Sequence, residues 1–256
     1  MGSQLELPTM NKLKEITETA IGRLKAYEPS EGYYLAFSGG KDSQTIYHLA
    51  KEAGVKFDAH FNFTTVDPPE VVKFIKENYP DVEIHYPHKS MFHYVLEKGL
   101  PTRPHRWCCE IFKERGGDDR LTITGVRWSE SIRRKNTRKV YEICYKTGNK
   151  VINPIVDWET DDIWNYLGDT PHCSLYDEGF KRIGCVLCPM TSARRSQLEL
   201  SRFPKLGNTW KQTCYKLYAS QKFHTNDNWT SAEEMWQWWL SRKGDRKNKA
   251  QYTMFD

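Results

Sequence analysis

Six consecutive residues, Ser38-Gly39-Gly40-Lys41-Asp42-Ser43, bring together two glycines, two hydroxyls, a lysine and a carboxylate. Glycine permits positive φ and lets the backbone approach a ligand closely. Tyr33 to Phe37, just before them, is short, aromatic-rich and uncharged, as a buried parallel strand would be. Afterwards Ile46, Leu49, Ala50 and Ala53 recur at helical spacing and Gly54 ends the run. The glycines thus stand where a strand turns into a helix, and helix N-terminal N–H groups with their dipole favour phosphate. Ser38 and Ser43 add hydroxyl donors, and Lys41 adds a point charge. Asp42 would repel a bare phosphate, so it reads as a Mg²⁺ partner or as a group that orients the loop. The spacing is neither that of the Gly-Lys-Ser/Thr nucleotide loop nor that of the dinucleotide fingerprint. An ordinary strand-to-helix turn is the bland alternative.

Cysteines carry the second chemical signal. Cys108 and Cys109 are adjacent, and Cys185-x-x-Cys188 lies between Gly184 and Pro189, a composition suited to a metal-binding loop. Four thiolates suit zinc or an iron–sulfur cluster. Adjacent side chains leave the backbone in divergent directions and converge poorly on one tetrahedral ion, whereas a cubane offers each its own iron corner. A [4Fe–4S] cluster is therefore favoured over zinc, with unligated buried thiols as the remaining reading. Cys144, Cys173 and Cys214 stand alone and receive no role.

These groups must be positioned by an alternating chain. Leu13, Ile16, Ala20, Leu24 and Tyr27 mark an amphipathic helix. Strand-like runs follow at 33–37, 57–63, 82–86, 121–126 and 151–155, with helical runs near 43–53, 69–78 and 91–98. That βαβ rhythm predicts an α/β fold with a doubly wound, mainly parallel sheet. A hairpin turning at Thr147-Gly148-Asn149 precedes the last strand, and Asp161 and Asp162 open a later helix. Beyond about residue 190 the pattern is helical only. The organisation expected is an N-terminal helix over 1–29, a nucleotide- and cluster-binding domain over 30–190, and a basic, tryptophan-rich helical subdomain over 191–256.

In an open parallel sheet, ligands bind beyond the C-terminal strand ends. The loop at 38–43, the stretch 62–67 and the segment 124–134 should converge there. Arg127, after Gly125-Val126, is placed to clamp phosphate bidentately or to pair with Glu130. Arg133 and Arg134 are near enough to assist or belong to a solvated face. Thr64, Thr65 and Asp67 suit contact with a nucleoside or a turn before Pro68-Pro69.

The chain has 256 residues and a formal net charge of +5, with 38% hydrophobic residues. Length allows one good core and a small appendage. No apolar run reaches membrane-spanning length and the first residues lack a signal-peptide pattern, so no membrane association is expected. Seven cysteines, an odd number, suit a reducing, cytoplasmic setting. The positive excess lies in residues 190–256, with 12 Lys/Arg against 6 Asp/Glu and five of the nine tryptophans. Such a segment suits nucleic acid. Helical spacing of Trp236, Trp239 and Leu240, behind a capping box at Ser231 and Glu234, favours core packing for most of the tryptophans.

Ser-Gly-Gly-x-Asp-Ser is similar to the pyrophosphate (PP) loop of the adenine nucleotide alpha hydrolase superfamily. Together with Gly125-x-Arg127 and the Cys-Cys…Cys-x-x-Cys set, it resembles the phosphoadenosine phosphosulfate (PAPS) reductase family over residues 30–190. The cysteine pattern is that of the iron–sulfur members, which reduce adenosine phosphosulfate (APS). The resemblance implies a Rossmann-like PP-loop fold, an adenine nucleotide (ATP, APS or PAPS) and a [4Fe–4S] cluster. It further implies that Lys113 lies between cluster and substrate and that Arg127 meets the phosphosulfate. Lys41, Asp42, Lys113 and Arg127 are thereby the expected catalytic set. Ser38, Gly39, Gly40, Ser43, Thr64, Asp67 and Gly125 complete the nucleotide contacts.

Sulfonucleotide reductases carry a C-terminal Glu-Cys-Gly-Leu/Ile-His tail whose cysteine attacks sulfur, whereas this sequence ends Ala-Gln-Tyr-Thr-Met-Phe-Asp. The first expectation is accordingly an ATP pyrophosphatase that adenylates an acceptor in sulfur transfer, such as nucleic-acid thiolation or phosphorothioation. A cysteine desulfurase or thiol reductant is the expected partner. An assimilatory APS/PAPS reductase releasing sulfite is the second, and a nucleotide-binding iron–sulfur subunit of a nucleic-acid complex is the third.

Overall fold

The computed structural model describes residues 6–114, 116, 117, 119–143, 148–224 and 228–242. The chain divides into two compact units. One comprises Met1–Asn62, Pro69–His85 and Arg115–Ile183, and the other Phe63–Pro68, Tyr86–Glu114 and Gly184–Asp256.

The first unit holds a six-stranded sheet in the order β3-β2-β1-β4-β6-β5. Its strands are β1 (Tyr33–Ala36), β2 (Phe57–Asn62), β3 (Glu83–His85), β4 (Thr122–Ile123), β5 (Tyr141–Ile143) and β6 (Lys150–Ile152). All neighbouring pairs are parallel except β5 and β6, which form the expected hairpin; Thr147 of its turn lies outside the described residues. The helices are α1 (Glu6–Ala26), α2 (Lys41–Ala53), α3 (Pro69–Asn78), α6 (Ile132–Thr137) and α7 (Thr160–Leu167). The protein is thus an α/β fold with a mainly parallel sheet. Leu24, Leu35, Ile46, Leu49, Ile75, Ile123, Ile152 and Trp158 fill its core.

Strand order reverses between β1 and β4, where open parallel sheets place their ligands. The loop at 38–43 leaves β1, and the segment to Arg127 leaves β4. β4 is shorter than its apolar run because the chain departs after Thr124, whose N–H still bonds Ile152 O at 2.9 Å.

The second unit is helical, with α4 (Met91–Lys98), α5 (Trp107–Phe112), α8 (Ala193–Arg202), α9 (Pro204–Ala219) and α10 (Ala232–Ser241). Trp210, Trp229, Trp236 and Trp239 are buried. They are this unit's core and offer no face for stacking a base. Ser231 caps α10 as expected, but Glu234 reaches back to the N–H and hydroxyl of Thr230, one residue earlier than a capping box requires. Cys214 sits fully buried on α9, and burial pushes its thiol up to about 12, so it behaves as a small apolar side chain. Cys173 is buried in the first unit, and Cys144 lies outside the described residues. Among the described residues, no helix is long and apolar enough to cross a membrane.

Candidate functional site

The loop after β1 is shaped by its own short-range bonds. Gly39 has φ +71°, and a Cβ there would meet Ile75 of α3 at 3.0 Å, so both conformation and packing require glycine. Ser43 Oγ donates to Gly40 O at 2.8 Å, and Ser38 Oγ donates to Ser43 Oγ at 3.2 Å. Gly40 is the N-cap of α2 and supplies no side-chain cap. The Lys41 N–H donates instead to the Tyr176 hydroxyl at 2.9 Å.

Asp42 is the hub of the charges. Its Oδ2 accepts from Lys41 Nζ at 2.8 Å and its Oδ1 from Arg127 Nε at 2.7 Å. Burial holds the Lys41 pKa below the ordinary lysine value, against the pull of Asp42. Arg127 is nearly fully buried. Its Nη1 donates to Ser129 Oγ at 2.6 Å and to Trp158 O at 3.1 Å, so this guanidinium orients Asp42 rather than standing free as a clamp. Gly125 makes the approach possible, because a Cβ there would lie 2.9 Å from Asp42 O.

Around this hub lies a cleft of about 770 Å³ whose lining includes Lys41, Arg127, Glu130, Trp164, Tyr176 and Arg182. Glu130 accepts from the Arg127 N–H, pairs with Arg134, and meets Arg182 at 2.9 Å. Burial, then the charge of Arg182, pulls the Arg134 pKa down to about 10. Lys41 and Arg127 thus share Asp42, and Arg134 and Arg182 share Glu130; with Lys181, Asp161 and Asp177 of the lining, five cations stand against four carboxylates, a small positive balance. Trp164, His172 and Tyr176 cluster edge to face beside them, with Trp164 and Tyr176 centroids 5.0 Å apart. Arg133, by contrast, is exposed.

The second unit gathers the four thiols of the Cys-Cys and Cys-x-x-Cys pairs. The contact between Cys108 and Cys109 lowers the Cys109 thiol pKa below its ordinary value and raises that of Cys108. Cys185 Sγ lies 3.4 Å from Thr64 Oγ1, and Val186 N–H donates to Val66 O at 2.8 Å. Burial raises the Cys185 thiol to about 11. Leu187, between Cys185 and Cys188, is fully buried with φ +60°, a conformation costly for a branched side chain. Its N–H donates to Glu199 Oε2 at 2.7 Å, and its carbonyl accepts from Arg242 Nη2 at 2.8 Å. Lys113 follows α5, and negative charge on Cys185, then on Asp67, keeps its ammonium protonated well above the usual range.

Thr64 and Asp67, expected at a nucleoside, belong to this second constellation. Both the N–H and the hydroxyl of Thr64 donate to Asp67 Oδ2, at 2.6 and 2.8 Å. Their polar atoms are thus spent on the turn and on Cys185. Ser38, Gly39, Gly40, Lys41, Asp42, Ser43, Gly125 and Arg127 are gathered in the first unit; Lys113, Cys108, Cys109, Cys185 and Cys188 in the second. Sequence reasoning named Glu130 only as a partner for Arg127 and missed Tyr176, Arg182 and the aromatic group. For Trp164, His172 and Tyr176, only the richness of 164–176 in Trp, Tyr and His hinted at a site.

Residues 32–191 match the family model described as phosphoadenosine phosphosulfate reductase domain. An uncharacterised protein of Methanocaldococcus jannaschii is 34% identical over 242 residues, covering 86% of this chain and 48% of that protein. The chain spans about half the length of that relative and of a second from the same archaeon. The adenosine 5'-phosphosulfate reductase of Oceanobacillus iheyensis is 30% identical over 178 residues, covering 64% of this chain and 71% of that enzyme. The fold is like that of Candida auris PAPS reductase, with a TM-score of 0.50, 18% identity, and coverage of 68% of this chain and 93% of that one. It is equally like Candida glabrata FMN adenylyltransferase, at TM-score 0.50 and 15% identity, with 69% and 66% covered. With more than half of its length matched by one family model, the chain belongs to the phosphoadenosine phosphosulfate reductase domain family.

Proposed function

We propose that the chain binds an adenine nucleotide with its phosphates on Ser38–Ser43 and the cationic cleft, and acts as an ATP pyrophosphatase adenylating an acceptor in sulfur transfer. The position of Asp42 carries this reading. Its carboxylate is 25% exposed and bonded to Lys41 and Arg127, which line a cleft together with Lys181 and Arg182 and the carboxylates Glu130, Asp161 and Asp177. A carboxylate facing phosphate weakens anion binding unless a divalent cation bridges the two. Asp42 would hold Mg²⁺, which supplies charge neutralisation for a triphosphate. The acceptor oxygen attacks the α-phosphorus as the bond to pyrophosphate breaks. Lys41, the arginines and the N–H groups opening α2 stabilise the charge collecting on the leaving pyrophosphate. The positive excess of residues 190–256 supports a polyanionic acceptor such as nucleic acid.

Cys108, Cys109, Cys185 and Cys188 would hold a [4Fe–4S] cluster. One tetrahedral zinc, with Zn–S of about 2.3 Å, draws its sulfurs to about 3.8 Å from one another. Among the described residues, the one set of three or more metal-ligand atoms all within 4.8 Å of each other is His60, Glu83 and His85. No three of the four thiols stand that close together, so their spacing is not that of one tetrahedral zinc. Such a cluster supplies electron- and sulfur-transfer chemistry when bound. Lys113 would offset the negative charge of the thiolates.

A sulfonucleotide reductase is the second reading, supported by the likeness to the Oceanobacillus iheyensis enzyme. Calorimetry on anaerobically prepared protein with Mg·ATP, APS and PAPS separates the two. Mg·ATP should bind most tightly, and Asp42→Asn should weaken it only when Mg²⁺ is present. APS or PAPS binding more tightly than Mg·ATP would overturn the pyrophosphatase reading and leave the reductase.

A further inference from the structure

β3 is the edge strand of the sheet, and its parallel register with β2 sets His60 opposite Glu83 and Asn62 opposite His85. Residues two apart on a strand share a face. His60, Glu83 and His85 therefore stand on one face, with Asp58 two residues before His60 on the same side. One ligand atom from each of His60, Glu83 and His85 lies within 4.8 Å of the others. His60 Nδ1 is 2.8 Å from His85 Nε2. Glu83 spans the pair, Oε2 lying 3.5 Å from His60 Nδ1 and Oε1 3.6 Å from His85 Nδ1.

The surroundings of His60 are those of a metal ligand rather than of a simple packed histidine. Its Nε2 contacts the Asp58 carboxylate, which Arg120 grips at both oxygens, at 2.5 and 2.7 Å. A carboxylate only accepts, so Nε2 carries the proton and the Nδ1 lone pair is directed at His85. A carboxylate behind the far ring nitrogen is the usual support of a ligating imidazole. The Tyr34 ring stacks on His60 with centroids 4.2 Å apart and planes within 4°, which fixes the ring plane. His60 is buried, whereas the His85 and Glu83 side chains are 39% and 65% exposed. One ligand is rigid and two are adjustable, with solvent access for an ion.

We propose that His60 Nδ1, His85 Nε2 and a Glu83 carboxylate oxygen bind one divalent ion of the zinc class on the β2–β3 face, with water as the fourth ligand. Two imidazoles and one carboxylate suit Zn²⁺ and exclude a preference for Mg²⁺ or Ca²⁺. At Zn–N of about 2.1 Å, tetrahedral nitrogens sit about 3.4 Å apart, so the imidazole pair opens by roughly half an ångström, a shift exposed His85 can supply. The His85 Nε2 proton now shared with His60 moves to its own Nδ1 as the ion enters, so that His85 binds as the neutral tautomer. Bound metal would pin the edge strand β3 to β2. The site shares no residue with the cleft or the thiols and stands whether or not the proposed reaction does.

Zinc titration by calorimetry tests it, with the stoichiometry of wild type set against that of His85→Ala. His60 is avoided because a buried substitution risks the fold, and His85 and Glu83 are exposed enough to change safely. Wild type should bind one more zinc equivalent than His85→Ala, whatever the cysteines take up, and Glu83→Gln should weaken that equivalent about tenfold. Zinc should also raise the melting temperature of wild type more than that of His85→Ala. Equal stoichiometry and affinity in wild type and His85→Ala would overturn the site.

Discussion

The phosphate-loop region and the cysteine region solve the same problem, holding reactive groups still, by opposite means. Around residues 38–43 the geometry is local. A glycine at φ +71°, two hydroxyls bonded within five residues, and a helix that begins at Lys41 fix the loop. Distant residues add charge through Arg127 and Glu130 and one hydroxyl, that of Tyr176, to the Lys41 N–H. Around Cys185 and Cys188 the geometry is borrowed. A buried leucine at φ +60° is held by Glu199 from α8 and by Arg242 beyond α10, more than fifty residues later in the case of Arg242. Backbone conformation carries the first site and long-range side-chain bonds carry the second. Damage should therefore spread differently from each.

The largest effect is expected at the thiols. Cys185→Ser should remove all iron and brown colour from anaerobically prepared protein, because the serine oxygen replaces a soft thiolate ligand. Mg·ATP affinity should stay within about threefold, since no phosphate-loop contact is altered. Iron retained at wild-type level would remove Cys185 from the cluster. Nucleotide affinity lost together with iron would break the comparison, showing that the two sites depend on one another.

Next comes the buried guanidinium. Arg127→Lys keeps a charge but cannot bond Asp42, Ser129 and the Trp158 carbonyl at once. Nucleotide affinity should fall about 10- to 100-fold as Asp42 loses its orientation. Iron content should be unchanged. Affinity within twofold of wild type would show that Lys41 alone positions Asp42.

What the sequence revealed follows the same division. The phosphate loop was legible because its chemistry is contiguous: strand, glycines, hydroxyls and helix adjoin in the chain. The four cysteines stood out because thiols paired at such spacings have few uses other than metal binding, and all four lie in the second unit. Tyr176 and Arg182 were not legible, because their partners Lys41 and Glu130 lie 135 and 52 residues away and no local period marks them. Thr64 and Asp67 show the converse. They follow β2 as a nucleoside-contacting loop would, yet their bonds go to each other and to Cys185. The sheet was legible in strand order along the chain but not in extent: the run expected as a strand over 121–126 leaves the sheet after Thr124 to carry Arg127.

The adjacent glycines sharpen the local side of the comparison with a smaller effect. A Cβ on Gly39 meets α3 at 3.0 Å from a positive φ, whereas one on Gly40, at φ −85°, has nothing closer than the Tyr176 hydroxyl at 3.4 Å. Gly39→Ala should destabilise the first unit by about 1–3 kcal/mol, read as a lowered denaturation midpoint. Gly40→Ala should cost under about 0.5 kcal/mol. It should instead weaken nucleotide binding severalfold, because its methyl group stands beside the loop N–H groups. Equal destabilisation by both would show that packing against α3 is not what requires glycine.

The smallest effect expected is a pH dependence, and its sign separates binding from stability at one residue. Burial lowers the Lys41 pKa below the ordinary lysine value, so the folded protein releases this proton before the unfolded chain does. Between the lowered and the ordinary value the unfolded state binds more protons, and stability should rise with pH across that window. Phosphate binding needs the ammonium, so nucleotide affinity should fall by a few-fold across the same window. Lys41→Met should bind more weakly at neutral pH and show neither slope. Calorimetry and denaturant titrations from neutral to alkaline pH measure both. Stability and affinity moving in the same direction in wild type, or an affinity slope that persists in Lys41→Met, would show that another group controls the alkaline limb. Arg134, whose pKa burial pulls down to about 10, is the other cation of this region that could supply it.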